Sequence, residues 1–218
     1  MNWKLPNQLT LARLVLAIIF SVLLSLWPHA PGVLNLCFGV YIVAGITDIL
    51  DGYLARRWKI TSAFGRITDP FVDKVLVCGA FVLLAGNNYA FGPNTGAYER
   101  GLAHWITGGM ASGVQAWMVV VVIAREFIIS GFRGYSESLG RKFPATSWGK
   151  LKMFSQSVAI CASLLQMANF PQAAWAVNIK LITVWVAVAL TLISGLAYVN
   201  TGRNLFKTDE VDSPEGGA

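Results

Sequence analysis

The chain has 218 residues, of which 55% are hydrophobic and only 13% charged, and a mean hydropathy of +0.56 argues against an ordinary soluble domain and for one helical membrane domain. The net charge of +6 and pI near 9.4 come without a soluble basic face or a helix-turn-helix pattern, so anionic lipid and phosphate are expected as partners and nucleic acid is not. Cys37, Cys78 and Cys161 stand singly in apolar runs, without the paired spacing of a zinc site or disulfide framework, and are expected to be small core residues.

Six apolar segments follow in order, at residues 9–26, 33–54, 71–85, 117–132, 148–167 and 173–199. Most approach the roughly 20 residues that cross a bilayer. The expected fold is all-α: a polytopic membrane protein with six transmembrane helices around a cytoplasm-facing intramembrane polar site. It would form one domain over residues 1–207, followed by a disordered acidic tail over 208–218.

The first segment opens with PNQLTLAR, in which Asn7, Thr10 and Arg13 recur at threes and share one polar face. That face suits the headgroup level, either as a substrate contact or as a helix cap with a snorkelling arginine. Lys4 and the apolar run also fit a signal peptide, but no A-x-A-like site follows, and the segment is expected to be a retained first helix.

Between the second and third segments runs TDILDGYLARRWKITSAFGRITDPFVDK, residues 47–74. Four aspartates, Asp48, Asp51, Asp69 and Asp73, lie in or beside apolar spans, where an unpaired carboxylate costs at least about 2.5 kcal/mol. If both arms are helical, Asp48 and Asp51 sit at i, i+3 and Asp69 and Asp73 at i, i+4, so each helix offers one carboxylate edge. Two such edges facing each other make an all-oxygen cage for a hard divalent ion such as Mg²⁺ or Mn²⁺. Gly52 leaves room beside the acids, and Arg56 supplies a fork for phosphate. His29, His104 and the cysteines stand apart from the cluster, so no zinc is expected.

Residues 86–113, rich in Asn and Gly, predict an external loop with an interfacial helix around Trp105. In the fourth segment Arg125 and Glu126 adjoin inside an apolar run, and Arg133 follows slightly more than two turns later. A phosphate clamp would look like this, and so would an arginine paired with Glu126 or an aspartate beside a snorkelling arginine. Lys150 and Lys152 of the fifth segment are two apart and cannot share a helical face; Lys150 is taken as the one that points at the site. Ser194 and Gly195 in the sixth mark close helix packing. Under a six-span arrangement every lysine and arginine except Arg100 and Lys180 falls on one side, which the positive-inside rule makes cytoplasmic.

The spacing D-x2-D-G-x2-A-R, eight residues, then G-x3-D-x3-D is met by Asp48, Asp51, Gly52, Ala55, Arg56, Gly65, Asp69 and Asp73, and it resembles the CDP-alcohol phosphotransferase signature. The flanks PNQLTLAR, DPFVDKVLV, IAREFIISGFR and SWGKLKM are similar to the bacterial branch whose acceptor is sn-glycerol 3-phosphate. The resemblance covers most of the chain; residues 86–113 and the tail after Lys207 carry least of it. It implies a transferase that turns CDP-diacylglycerol and sn-glycerol 3-phosphate into phosphatidylglycerol phosphate and CMP, in phospholipid biosynthesis at the bacterial inner (cytoplasmic) membrane, as a homodimer. It further implies two ions, Mg²⁺ or Mn²⁺, on Asp48, Asp51, Asp69 and Asp73, with Asp73 also the catalytic base. The CDP-lipid falls to Asn7, Thr10, Arg13, Thr47, Gly52, Arg56 and Gly65.

An anionic acceptor would be repelled by the acids and needs its own cationic site, for which Arg125, Arg133 and Lys150 are the candidates. Siblings with inositol phosphate, serine or phosphatidylglycerol as acceptor remain alternatives. From another class, a divalent-cation transporter would also place acids in the membrane, but it gains nothing from Arg56, Arg125 and Arg133 nearby.

Overall fold

The computed structural model describes the backbone of residues 4–58, 63–92, 96–138 and 147–211, and within these the side chains of residues 8, 10–50, 57, 71–72, 74–92, 96–136, 138 and 149–198. Among the described residues the regular elements are helices: α1 (Lys4–Leu26), α2 (Pro31–Trp58), α3 (Ala63–Leu84), the short α4 (Ala97–Gly101) and α5 (His104–Thr107), then α6 (Ala116–Ser138), α7 (Ser147–Asn169) and α8 (Ala174–Val211). Each apolar segment forms the body of one long helix. Pro31 opens α2, where its fixed φ suits a first helical position and its missing N–H costs nothing. The polar arms are helical too: α2 runs on to Trp58 and α3 begins at Ala63, so all four aspartates sit within helices. α8 continues to Val211, past the boundary set at Lys207.

Two stretches, Pro31–Leu50 and Ala174–Tyr198, are long and apolar enough to cross a membrane, and Thr10–Leu26 and Lys74–Leu84 are shorter apolar helices. The distribution of side chains points the same way. Large apolar groups line the outside, with Ile49 71%, Phe127 69% and Leu196 71% exposed, while Arg13, Lys152, Gln156, Lys180 and Ser194 are buried. A water-soluble bundle would do the opposite, since exposed apolar area on this scale is costly in water and costless in lipid.

α1 packs on α2 and α3, α2 on α7, α7 on α8, and α6 on α8 and α3. The core runs through Phe20, Cys37, Tyr41, Phe81, Met118, Ile160, Leu164 and Val184. Polar side chains stitch the helices: Tyr41 donates to Ser157 Oγ (3.2 Å), Gln156 to Thr191 Oγ1 (3.0 Å), and Asn35 and Asn169 bond to each other. In an apolar surround such bonds add specificity to van der Waals packing. The cysteines are free thiols, Cys37 buried and Cys78 and Cys161 partly so.

The described part of residues 86–115 is a folded cap. Phe91 N–H donates to Gly109 O (2.9 Å) and Ala111 N–H to Tyr89 O (2.6 Å), with turns that use Gly108 and Gly113 at φ 62° and 72°. Lys180 of α8 donates to Glu99 of α4, to Ala111 O (2.6 Å) and to Gln166 Oε1 (2.8 Å), which ties the cap to α7 and α8. Trp105 lies in the four-residue α5 and is exposed.

Candidate active site

Asp48 on α2 meets Arg13 from α1, with Nη1 2.6 Å from Oδ1; the arginine is 1% exposed and the carboxylate 42%. Thr10, one turn before Arg13, is also buried, so two of the three polar residues of the first segment face inward. A groove of about 350 Å³ opens beside the pair, lined by Ala44, Gly45 and Ile49 of α2, Leu76 and Val77 of α3, and Met153, Phe154 and Ser157 of α7. It joins one charged end to an apolar flank, the shape a lipid with a polar head requires.

Thr47 returns its hydroxyl proton to Val43 O (2.7 Å), leaving the oxygen as an acceptor. The side chains of Asn7, Asp51, Arg56, Asp69 and Asp73 lie outside the described residues, as do the surroundings of Gly52 and Gly65. Their backbone positions are described, and these bear on a metal. α2 is unbroken through Asp48 and Asp51, and α3 through Asp69 and Asp73, so each helix carries two acids about one turn apart. α1 packs against both. Four carboxylates on two helices that both pack against α1, with Asp48 reachable from solvent, are a donor set of the type a hard divalent ion takes.

A second cluster lies where α6, α7 and α8 meet. Glu126 Oε1 accepts from Arg125 Nη1 (3.1 Å) and from Lys152 Nζ. The Arg125 guanidinium also lies over the Tyr198 ring, 5.5 Å from its centre, a favourable cation–π distance. Arg133 and Lys150 are exposed. Of the two lysines it is thus Lys152 that turns inward, against the choice made from the sequence. The reason was legible: Ser155, Gln156 and Ser163 lie three, four and eleven positions after Lys152 and mark the polar inner stripe of α7. Three and four positions after Lys150 come Met153 and Phe154, both exposed. Glu126 was read only as a neighbour of Arg125, and its hold on Lys152 joins two helices that the linear chain keeps apart.

The two clusters are tied together. Lys74, next in the chain to Asp73, donates to Ser130 Oγ of α6, and Ser130 donates to Glu126 O (2.7 Å). The end of α3 that carries the acids is therefore joined to the helix that carries the basic cluster.

The sequence profile of the CDP-alcohol phosphatidyltransferases matches residues 3–193. The chain belongs to the CDP-alcohol phosphatidyltransferase family. Its relatives in this family include proteins named CDP-diacylglycerol–glycerol-3-phosphate 3-phosphatidyltransferase. The one from Bacillus subtilis is 31% identical, covering 94% of this chain and 98% of that protein. Those from Haemophilus influenzae and Pectobacterium atrosepticum are 32% and 34% identical, covering 93% and 94% of this chain and 95% and 97% of theirs. Membership makes the protein a transferase of phospholipid synthesis, in keeping with its apolar exterior.

Proposed function

We propose that the protein transfers the phosphatidyl group of CDP-diacylglycerol to sn-glycerol 3-phosphate, giving phosphatidylglycerol phosphate and CMP. The tie between α3 and α6 supports this reading most directly, because it sets an acidic helix beside a basic cluster, as a reaction between a pyrophosphate and an anionic acceptor demands. The names and full-length match of the relatives support the same acceptor.

In this reading the CDP-lipid lies along α1, α2 and the start of α3, with its head at Asn7, Thr10, Arg13, Thr47, Gly52, Arg56 and Gly65. Arg56 supplies a two-pronged contact for the pyrophosphate. Arg125 and Arg133 receive the acceptor, and Lys152, in the place first given to Lys150, joins them from within. A hydroxyl of the acceptor attacks the lipid-side phosphorus, the bond from that phosphorus to the bridging oxygen breaks, and CMP leaves with the electron pair. Asp73 takes the hydroxyl proton. Two divalent ions, Mg²⁺ or Mn²⁺, held by Asp48, Asp51, Asp69 and Asp73, would supply charge neutralisation to the pyrophosphate and to the departing CMP. Six spans, a homodimer and a site facing the cytoplasm of a bacterial inner membrane complete the proposal; the lysine and arginine distribution supports the orientation.

The test is CMP release by purified protein given CDP-diacylglycerol, Mg²⁺ and one acceptor at a time. Release should require sn-glycerol 3-phosphate. Release with serine, inositol phosphate or phosphatidylglycerol in its place would move the protein to a sibling activity, and none with any acceptor would refute the transferase reading.

A further inference from the structure

We infer that Glu126 is a positioning residue, whose partly buried carboxylate holds Arg125 and Lys152 together as one preformed site for the phosphate monoester of the acceptor. This rests on the acceptor assignment above and adds to it the group that holds its two cations in place. Arg125 and Lys152 come from different helices, and both reach the same oxygen of Glu126 in a largely buried setting. Two cations so close repel strongly where water is scarce, and the shared carboxylate is what allows them to coexist.

The cluster is not a closed ion pair. Two cations on one anion leave a net charge of +1, and Arg125 Nε is buried with no hydrogen-bond partner among the described residues. A guanidinium has five N–H donors in a fixed fork, so capacity remains for an incoming oxyanion. The room for Arg125 is also built in. A Cβ at Gly195 would stand 3.3 Å from Arg125 Cγ, and the face of Tyr198 one turn later supports the guanidinium. A phosphate monoester carries about −1.5 to −2 at neutral pH, which the excess charge of the cluster together with the exposed Arg133 can balance. A neutral or zwitterionic acceptor would leave that charge uncompensated.

The experiment compares wild type with Glu126→Gln and Glu126→Asp in detergent micelles, varying each substrate separately. Glu126→Gln should raise KM for sn-glycerol 3-phosphate about ten- to a hundredfold, because a cation that leaves its place takes one charge-assisted contact from the acceptor, while KM for CDP-diacylglycerol stays within about twofold. Glu126→Asp, which keeps the charge on a shorter arm, should recover part of the loss. In parallel, inorganic phosphate should raise the Tm of wild type and do so much less for Glu126→Gln. If Glu126→Gln does not fold, Glu126→Asp carries the test: its KM for sn-glycerol 3-phosphate should exceed that of wild type while its KM for CDP-diacylglycerol does not. Equal rises in both KM values, or equal protection of wild type and variant by phosphate, overturn the inference, as does a wild type that phosphate does not protect. Absence of any acceptor-dependent CMP release would instead count against the proposed reaction, and the phosphate arm still decides the role of Glu126.

Discussion

The buried guanidinium of Arg13 and the half-exposed carboxylate of Asp48 are joined at 2.6 Å between α1 and α2. The two partners differ in what they would suffer on losing each other. Asp48 can be rehydrated, so Arg13→Gln should cost about 1 kcal/mol or less of stability. Asp48→Asn takes a carboxylate away from a fully buried cation and should cost about 1.5–3 kcal/mol. Thermal unfolding in micelles measures both, and equal losses would contradict the asymmetry.

The acids on α2 and α3 should make turnover depend on a divalent ion. Activity is expected to vanish with excess chelator and to return with Mg²⁺ or Mn²⁺, because clustered carboxylates bind hard ions and repel each other when empty. Asp73→Asn should abolish turnover while CDP-diacylglycerol still binds, since removing a base affects the transition state more than the ground state. Full activity in chelator would end the metal reading, and wild-type rates in Asp73→Asn would end the assignment of the base.

Arg125→Ala and Arg133→Ala should weaken use of the acceptor about tenfold to a hundredfold and use of the CDP-lipid far less, because only the acceptor loses a charge-assisted contact. Arg56→Ala should do the reverse. Kinetics with each substrate varied in turn decide this: a uniform loss that tracks a lower Tm in both Arg125→Ala and Arg133→Ala would mean that these arginines serve the fold alone.

The cap offers a test of stability apart from chemistry. Lys180 and Glu99 are both buried and paired, so Lys180→Met or Glu99→Gln should each cost about 3–5 kcal/mol by leaving one charged partner without its counterpart. The double variant should cost less than the sum, as a double-mutant cycle on Tm would reveal. The kinetic constants of the folded fraction should not change, because the pair joins the cap to α8 away from Asp48 and Glu126. Additive losses would show that the pair is not coupled.

Much of this architecture was legible in the chain. Six apolar runs of nearly membrane length predict six long helices because a backbone in an apolar surround must satisfy its own hydrogen bonds, and a helix does so locally. The pairing of Asp48 with Asp51, and of Asp69 with Asp73, follows from helical periodicity alone and needs no knowledge of neighbours.

What only the tertiary structure decided are the relations between helices. The polar stripe of α7 that carries Lys152 shows in the chain, but what it meets does not: Gln156 reaches Thr191 on α8 and Lys152 reaches Glu126 on α6. The loop at residues 86–113 lacks periodicity, and the order of its described part comes from partners far off in the chain, Lys180 on Glu99 and Ser112 on Leu84 O (2.6 Å). The same holds for Arg13 and Asp48. Local sequence sets which side chains share a helix face; which faces meet is settled by packing and by the high cost of leaving a charge alone in an apolar interior, and both act between residues that the linear chain keeps apart.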